Sequence, residues 1–184
     1  MRNRAPNRIE VIANISIIFA AALGGFVLAR DHIFVNRVRT ELRDMGVRTD
    51  AKREALVGRP VTLPDVDWAQ NGQTLLVVLS NECHFCTESA PFYNKMILTA
   101  AERKDLRVIA VFPQAVDEAK AYLAQIQVPI SDVRQISFYS IGVRGTPSLV
   151  LVDKAGLIKD AWLGRLRPDK EAEVLQRISC QECG

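Results

Sequence analysis

Apolar residues form one long run and three short runs along this chain. The long run, residues 9–29, is about 20 residues, enough for a helix to cross a hydrocarbon core of about 30 Å. We expect it to be a single-pass transmembrane anchor after an N-terminal tail, residues 1–8, with a cleaved signal peptide as the alternative. The short runs, residues 75–79, 106–112 and 147–153, are rich in Val, Leu and Ile and predict buried strands.

The segments between these runs predict a charged stalk, one domain and a tail. Residues 30–57 carry charges of both signs and are typical of a solvated stalk. The domain is predicted at residues 58–178 and the tail at residues 179–184. Helical patterns inside the domain occupy residues 87–103 with a break at Pro91, a turn at 137–141 ending at Gly142, and two further stretches at 116–126 and from Pro168 onward. A short strand at 130–135 and a hairpin strand at 157–164 complete an α/β fold with a central mixed sheet flanked by helices.

Charge and cysteine content narrow the function classes. Lysine and arginine total 24 against 21 acidic residues, and the net charge of +3 is spread along the chain. This distribution does not indicate a nucleic-acid partner. The four cysteines form two C-x-x-C pairs, Cys83 with Cys86 and Cys180 with Cys183, which favour redox or metal chemistry over the dense disulfide framework of a small secreted module.

The first cysteine pair follows the strand at residues 75–79 directly. A helix that begins at Cys83 places Cys83 where backbone N–H groups lack partners, which favours the thiolate. Cys83 is therefore the candidate nucleophile, and Cys86 the cysteine that resolves its mixed disulfide. Two neighbours are candidates for redox tuning: a negative Glu82 would raise the pKa of Cys83, and a positive His84 would stabilise its thiolate.

Several motifs together resemble the thioredoxin superfamily. They are the strand that ends in C-x-x-C, Pro91 after it, the sequence GVRGTP at 142–147, the hairpin VLVDKAGLIKDAWLG and the closing helix. With the anchor, the chain is most similar to membrane-tethered TlpA/redoxin-like thiol-disulfide oxidoreductases, over about residues 58–178. The resemblance implies a thioredoxin-like fold, a redox-active Cys83–Cys86 disulfide with no other cofactor and no metal, and protein disulfides or dithiols as clients. It also implies a cis Pro147 beside the cysteines, with Thr146 offering backbone groups to a substrate peptide.

The sequence departs from this family near the cysteines. Glu82 stands where the family usually has Trp, Val77 where thioredoxins bury an acid, and Ser89 where TlpA-like proteins often have Glu. The sequence therefore assigns no general base to Cys86. It also leaves the client, the electron donor and the direction of electron flow open.

The cysteine pairs are also compatible with a thiol peroxidase and with a metal-binding protein. Ser80, three residues before Cys83, fits part of a peroxiredoxin-like thiol peroxidase signature, although Leu76 occupies the position of its proline. A metal-binding protein would use both cysteine pairs for zinc, or Cys83, Cys86 and His84 for copper. For the oxidoreductase we expect a catalytic domain outside the cytoplasmic membrane, in the periplasm or cell exterior, where disulfides persist. The terminal pair is expected to stay separate from Cys83 and Cys86, as a local disulfide or an exchanging tail.

Overall fold

The computed structural model describes residues 49–180 and, singly, residues 35, 37 and 40. The predicted tail 1–8 and anchor 9–29 lie outside the described residues, as does most of the predicted stalk. Within the described part, no helix has the length and apolar character needed to cross a membrane. The compact unit begins at Thr49, before the boundary at residue 58 that the sequence predicted.

A five-stranded sheet forms the centre of this unit, with the strand order β3-β2-β1-β4-β5. The strands β1 to β3 run parallel to one another, and β4 and β5 are antiparallel additions at one edge. The predicted mixed sheet is therefore confirmed. The strands are β1 (Gln73–Val78), β2 (Leu106–Phe112), β3 (Val133–Gln135), β4 (Ser148–Asp153) and β5 (Ile158–Leu163).

The helices follow the predicted order, with one difference after the cysteines. The helical stretch predicted from Cys83 through residue 103, with a break at Pro91, is two helices, α1 (His84–Glu88) and α2 (Ala90–Ala101), separated at Ser89. Pro91 lies in the first turn of α2, where its missing N–H leaves no helical hydrogen bond unmade. The remaining helices are α3 (Val116–Gln125) and α4 (Pro168–Ser179), and a 3-10 turn spans Phe138–Ile141.

The core lies on both faces of β1 because successive side chains of a strand point to opposite sides. Leu75 and Val77 belong to a cluster with side chains of α2, α3 and α4. Leu76 and Val78 belong to a second cluster, which contains side chains from residues 56–63 and from the segment 141–143. The continuous apolar run is thus explained by burial on both faces, which no alternating pattern would satisfy.

The segment 49–57, which the sequence assigned to the stalk, packs on the domain. Residues 49–54 are helical, and Leu56 is buried in the second cluster. The guanidinium of Arg53 donates to both carboxylate oxygens of Asp160 in β5, at 2.6 and 2.8 Å. These contacts fix the segment to the strand at the edge of the sheet.

Candidate active site

A tight turn carries the chain from the end of β1 to the cysteines. The N–H of Leu79 still donates to Val111 in β2, at 2.9 Å. Beyond it, the hydroxyl oxygen of Ser80 accepts from the N–H of Glu82 at 3.2 Å and from the side-chain amide of Gln114 at 2.9 Å. Because the C=O of Ser80 also accepts from the N–H of Cys83 at 3.2 Å, the central strand positions the first cysteine.

Cys83 and Cys86 form a disulfide with their Cα atoms 5.3 Å apart. Helix α1 begins at His84, one residue later than predicted, and Cys83 is its N-cap. Cys86 is 0% exposed, whereas Cys83 is half-buried. A reaction partner can therefore reach Cys83 and not Cys86.

The N–H of Cys86 donates to the sulfur of Cys83 at 3.2 Å. A hydrogen bond to the charged form of a group favours that form, so this contact stabilises a Cys83 thiolate once the disulfide is reduced. The donor is a backbone group of the motif itself. The C-x-x-C spacing is thus sufficient to supply this hydrogen bond.

His84 and Glu82, the two candidate tuning residues, lie on either side of Cys83 in the chain. The side chain of His84 is 78% exposed, and its Nε2 lies 3.0 Å from Oε1 of Glu88. Glu88 also pairs with Arg165, in the loop after β5. The positive form of His84 therefore has a carboxylate partner one helical turn away. Glu82 is exposed, and no ion pair holds its carboxylate within the described residues.

The Thr146–Pro147 peptide bond is cis, as the resemblance implied. Ser148 pairs with Val78 in the antiparallel register of β4 and β1, so Pro147 lies at the sheet end from which the chain enters the cysteine motif. The C=O of Pro147 accepts from the N–H of Gly164 at 2.8 Å. In the described part of the chain, neither backbone polar group of Thr146 has a hydrogen-bond partner. They are free to pair with an extended peptide.

Phe85, between the two cysteines, is a further candidate that the sequence analysis did not assign. The residue is 51% exposed, although a large aromatic side chain ordinarily gains from burial. It offers an apolar contact surface beside the reachable cysteine. The only sequence signal is its place inside the motif.

We assign no general base to Cys86 among the described residues buried near it. Val77 is fully buried in the apolar cluster that contains Cys86. The hydroxyl of Tyr93 is buried without a hydrogen-bond partner, and burial raises its pKa. Among the described residues no group of three or more potential metal ligands occurs.

The terminal pair begins at Cys180, the C-cap of α4. Cys180 is disulfide-bonded, and its partner is neither Cys83 nor Cys86, which are bonded to each other. The expected separation of the two pairs is confirmed to that extent. Nη1 of Arg103 donates to the C=O groups of Ile178 and Cys180, at 3.0 and 3.1 Å, and so fixes the end of α4.

Solved structures share this architecture. One is a protein from Chlorobium tepidum named thiol:disulfide interchange protein DsbE, 25% identical, with a TM-score of 0.53 over 66% of this chain and 94% of that chain. The chain has the thioredoxin fold. A thiol:disulfide interchange protein from Bacteroides sp. shares this fold at 17% identity and a TM-score of 0.51, covering 70% of this chain and 89% of that chain.

The thioredoxin domain of a thiol-disulfide oxidoreductase from Bacteroides vulgatus is 16% identical, with a TM-score of 0.50 over 67% of this chain and 96% of that chain. At these last two identities the likeness concerns the fold alone. No protein-family model matches the sequence, and no curated protein matches it. The family resemblance therefore depends on the thioredoxin fold together with the Cys83–Cys86 disulfide at the end of its central strand.

Proposed function

We propose that this chain exchanges disulfides with client proteins outside the cytoplasm, through Cys83 and Cys86, while residues 9–29 anchor it in the membrane. The chain is a thiol-disulfide oxidoreductase of the thioredoxin fold. The observation that carries the proposal is the asymmetry of the disulfide, in which Cys83 is half-buried and Cys86 is fully buried. One cysteine is placed to meet a client, and the other to release it.

The reduced protein reacts in two exchange steps. The Cys83 thiolate attacks a client disulfide, a bond forms between Cys83 and one client sulfur, and the other client sulfur leaves as a thiolate that takes up a proton. Cys86 then loses its proton and attacks the sulfur of Cys83, which releases the second client thiolate. The client gains two electrons and two protons, and the Cys83–Cys86 disulfide is restored. The same steps in reverse oxidise a client dithiol.

Three features of the site assist these steps. The N–H of Cys86 stabilises the Cys83 thiolate, both as nucleophile and as leaving group. His84, whose Nε2 lies 3.0 Å from Oε1 of Glu88, would add to this stabilisation in its positive form, while a negative Glu82 would oppose it. The free backbone groups of Thr146, beside Pro147, bind the extended client peptide so that its disulfide lies over Cys83.

The proposed location follows from chemistry and from the apolar run. Protein disulfides persist outside the cytoplasm and are rare within it. Residues 9–29 have the length of a membrane span and precede the domain. The electron donor is unassigned, and the direction of net flow depends on the reduction potential of the Cys83–Cys86 pair.

Insulin reduction by the full-length chain in mild detergent tests the activity. We expect Cys83→Ser to abolish turnover, and Cys86→Ser to accumulate a mixed disulfide between Cys83 and insulin. Cys180→Ser is the matched control and should keep the wild-type rate, because that cysteine is not bonded to the site. Equal turnover by wild type and Cys83→Ser would overturn the proposal.

Labelling in intact cells tests the location. A single cysteine introduced by Lys154→Cys, at an exposed position of the hairpin, is placed in a chain whose four native cysteines are Ser. A membrane-impermeant maleimide should label it without lysis. Labelling only after lysis would place the domain inside the cytoplasm.

A further inference from the structure

Three cations surround one groove beside the loop that carries Pro147. The groove has a volume of about 330 Å³. Lys52, Arg59 and Arg144 line it, and Leu56, Val143 and Leu163 supply apolar surface. No carboxylate is among its lining residues. It is therefore concave, partly apolar and positively charged.

None of these cations neutralises a carboxylate of the domain. Within the described residues, Lys52, Arg59 and Arg144 take part in no ion pair. Neighbouring Arg53, by contrast, pairs with two carboxylates. Like charges that converge without partners repel one another, so the fold gains no stability from collecting them here. An anionic ligand would relieve that repulsion.

The groove continues the surface on which the client peptide is proposed to bind. Arg144 and Val143 belong to the same loop as Thr146 and Pro147. Leu163 pairs with Ser148, the residue after Pro147, so it lies at the active-site end of the sheet. A peptide that pairs with Thr146 therefore needs only a few residues to extend into the groove, at about 3.3 Å each.

A second depression, beside residues 81–82 and α3, has the reverse charge. Helix α3 follows β2, whereas the Pro147 loop precedes β4, and β2 and β4 lie on opposite sides of β1. An open depression of about 560 Å³ is lined by Asn81, Glu82, Glu118, Ala121, Tyr122 and Gln125. Acidic residues of a client would be repelled there and attracted at Arg59 and Arg144. The site therefore has the charge pattern that orients a bound chain.

We propose that this groove binds an acidic segment of the client polypeptide that flanks its reacting cysteine. This inference rests on the proposed function, since it names the class of client that the Cys83–Cys86 site exchanges with. A protein segment fits better than an anionic membrane surface because the cations converge on a concavity with apolar walls, which an extended chain can enter and a flat bilayer cannot.

The test measures single-turnover reduction of two synthetic peptide disulfides by the reduced full-length chain. One peptide carries four Glu beside its cysteine, and the other carries four Gln. Because each exposed ion pair contributes little and several add, we expect wild type to reduce the acidic peptide about tenfold faster at low salt. The preference should shrink as salt rises, since the screening length is about 10 Å at 0.1 M.

Two triple variants with equal change of net charge separate groove binding from long-range attraction. Lys52→Gln/Arg59→Gln/Arg144→Gln should bring the rate ratio of the two peptides close to one and leave the Gln peptide unchanged. The matched control, Lys95→Gln/Lys104→Gln/Lys154→Gln, removes three exposed cations that do not line the groove, and it should keep most of the preference.

The outcomes distinguish this proposal from the function on which it rests. Equal reduction of both peptides by wild type would overturn the groove and leave the oxidoreductase intact. Equal loss of preference in both triple variants would also overturn it, because net charge alone would then explain the effect. If wild type reduces neither peptide, both proposals fall. A ratio near one, with protection of the bonds after Lys52 and Arg144 from trypsin only in phosphatidylglycerol vesicles, would assign the groove to the membrane surface instead.

Discussion

Replacing Arg53 by Met tests whether the segment 49–57 is part of the folded unit. Arg53 binds both carboxylate oxygens of Asp160, its Nη1 lies 2.6 Å from Oε1 of Glu173, and its guanidinium lies 5.4 Å from the ring centre of Trp162. Asp160 is buried in β5. Removing the cation leaves this carboxylate in the interior without its principal partner.

The expected loss in the free energy of unfolding follows from how much of the Arg53–Asp160 ion pair is exposed. Breaking a fully buried ion pair by removing one partner costs about 3–5 kcal/mol. The side chain of Arg53 is 26% exposed, and Asp160 keeps the N–H of Ala161 at 2.8 Å and Arg177 at 3.8 Å. We therefore expect the free energy of unfolding to fall by about 2–3 kcal/mol, which lowers the melting temperature by about 5–10 °C in a chain of this size.

Urea unfolding of the full-length chain, followed by tryptophan fluorescence, measures this cost. Arg167→Met is the control, because Arg167 is 68% exposed and pairs with Asp169 at the surface, where such a pair contributes less than about 1 kcal/mol. The double variant Arg53→Met/Asp160→Asn should cost less than the sum of its two single variants. If Arg53→Met costs no more than Arg167→Met, the reasoning is refuted and the folded unit begins nearer residue 58.

Three further measurements bear on the site and the fold. After reduction, iodoacetamide should modify Cys83 before Cys86, and the rate of modification of Cys83 against pH should have its midpoint below the ordinary thiol pKa of about 8.5. Equal rates for the two cysteines, measured by mass spectrometry, would contradict the difference in burial. Burial alone would raise the pKa of Glu173, but hydrogen bonds from Lys170, Trp162 and Arg53 lower it below 4.5. The free energy of unfolding should therefore fall as pH drops through and below 4.5, and Glu173→Gln should weaken that dependence in urea titrations. Gly142→Ala should destabilise the chain by about 1–2 kcal/mol in the same assay, because Gly142 has φ of +88° and the added Cβ would lie 3.1 Å from Cδ2 of Leu56; a neutral effect would contradict this.

The strands and the cysteine motif were predictable because their signals are local. Apolar runs bounded by turn residues predicted β1, β2 and β4, and a resemblance over short motifs predicted the cis bond before Pro147. The pairing of His84 with Glu88 was also within reach, since residues four apart on a helix face each other. Each of these features depends on residues close together in sequence.

Contacts between distant residues were not predictable from the pattern. Arg53 and Asp160 are 107 positions apart, and Glu88 and Arg165 are 77 apart. The sequence placed residues 49–57 in a charged stalk because their charges of both signs are typical of a solvated helix, and nothing local shows that one arginine has a buried partner. The basic groove was not predicted for the same reason, since Lys52 and Arg59 line it together with Arg144 only in the folded chain.

The separation of Cys180 from the Cys83–Cys86 pair follows from the contacts that Arg103 makes with β1 and with the end of α4. Its Nη1 contacts Oε1 of Gln73, the first residue of β1, at 3.0 Å, and also the C=O of Cys180. Cys83 follows the other end of β1, and the five steps from Gln73 to Val78 cover about 17 Å at about 3.3 Å each.

Thiol-disulfide exchange requires direct contact between sulfur atoms. Cys180, fixed at the far end of the central strand, therefore cannot pass electrons to Cys83 while α4 keeps its contacts with Arg103. A donor that reduces the site must then approach Cys83 itself, because Cys86 is fully buried. Donor and client would therefore react at the same cysteine, so the exchange with one must be complete before the other reacts.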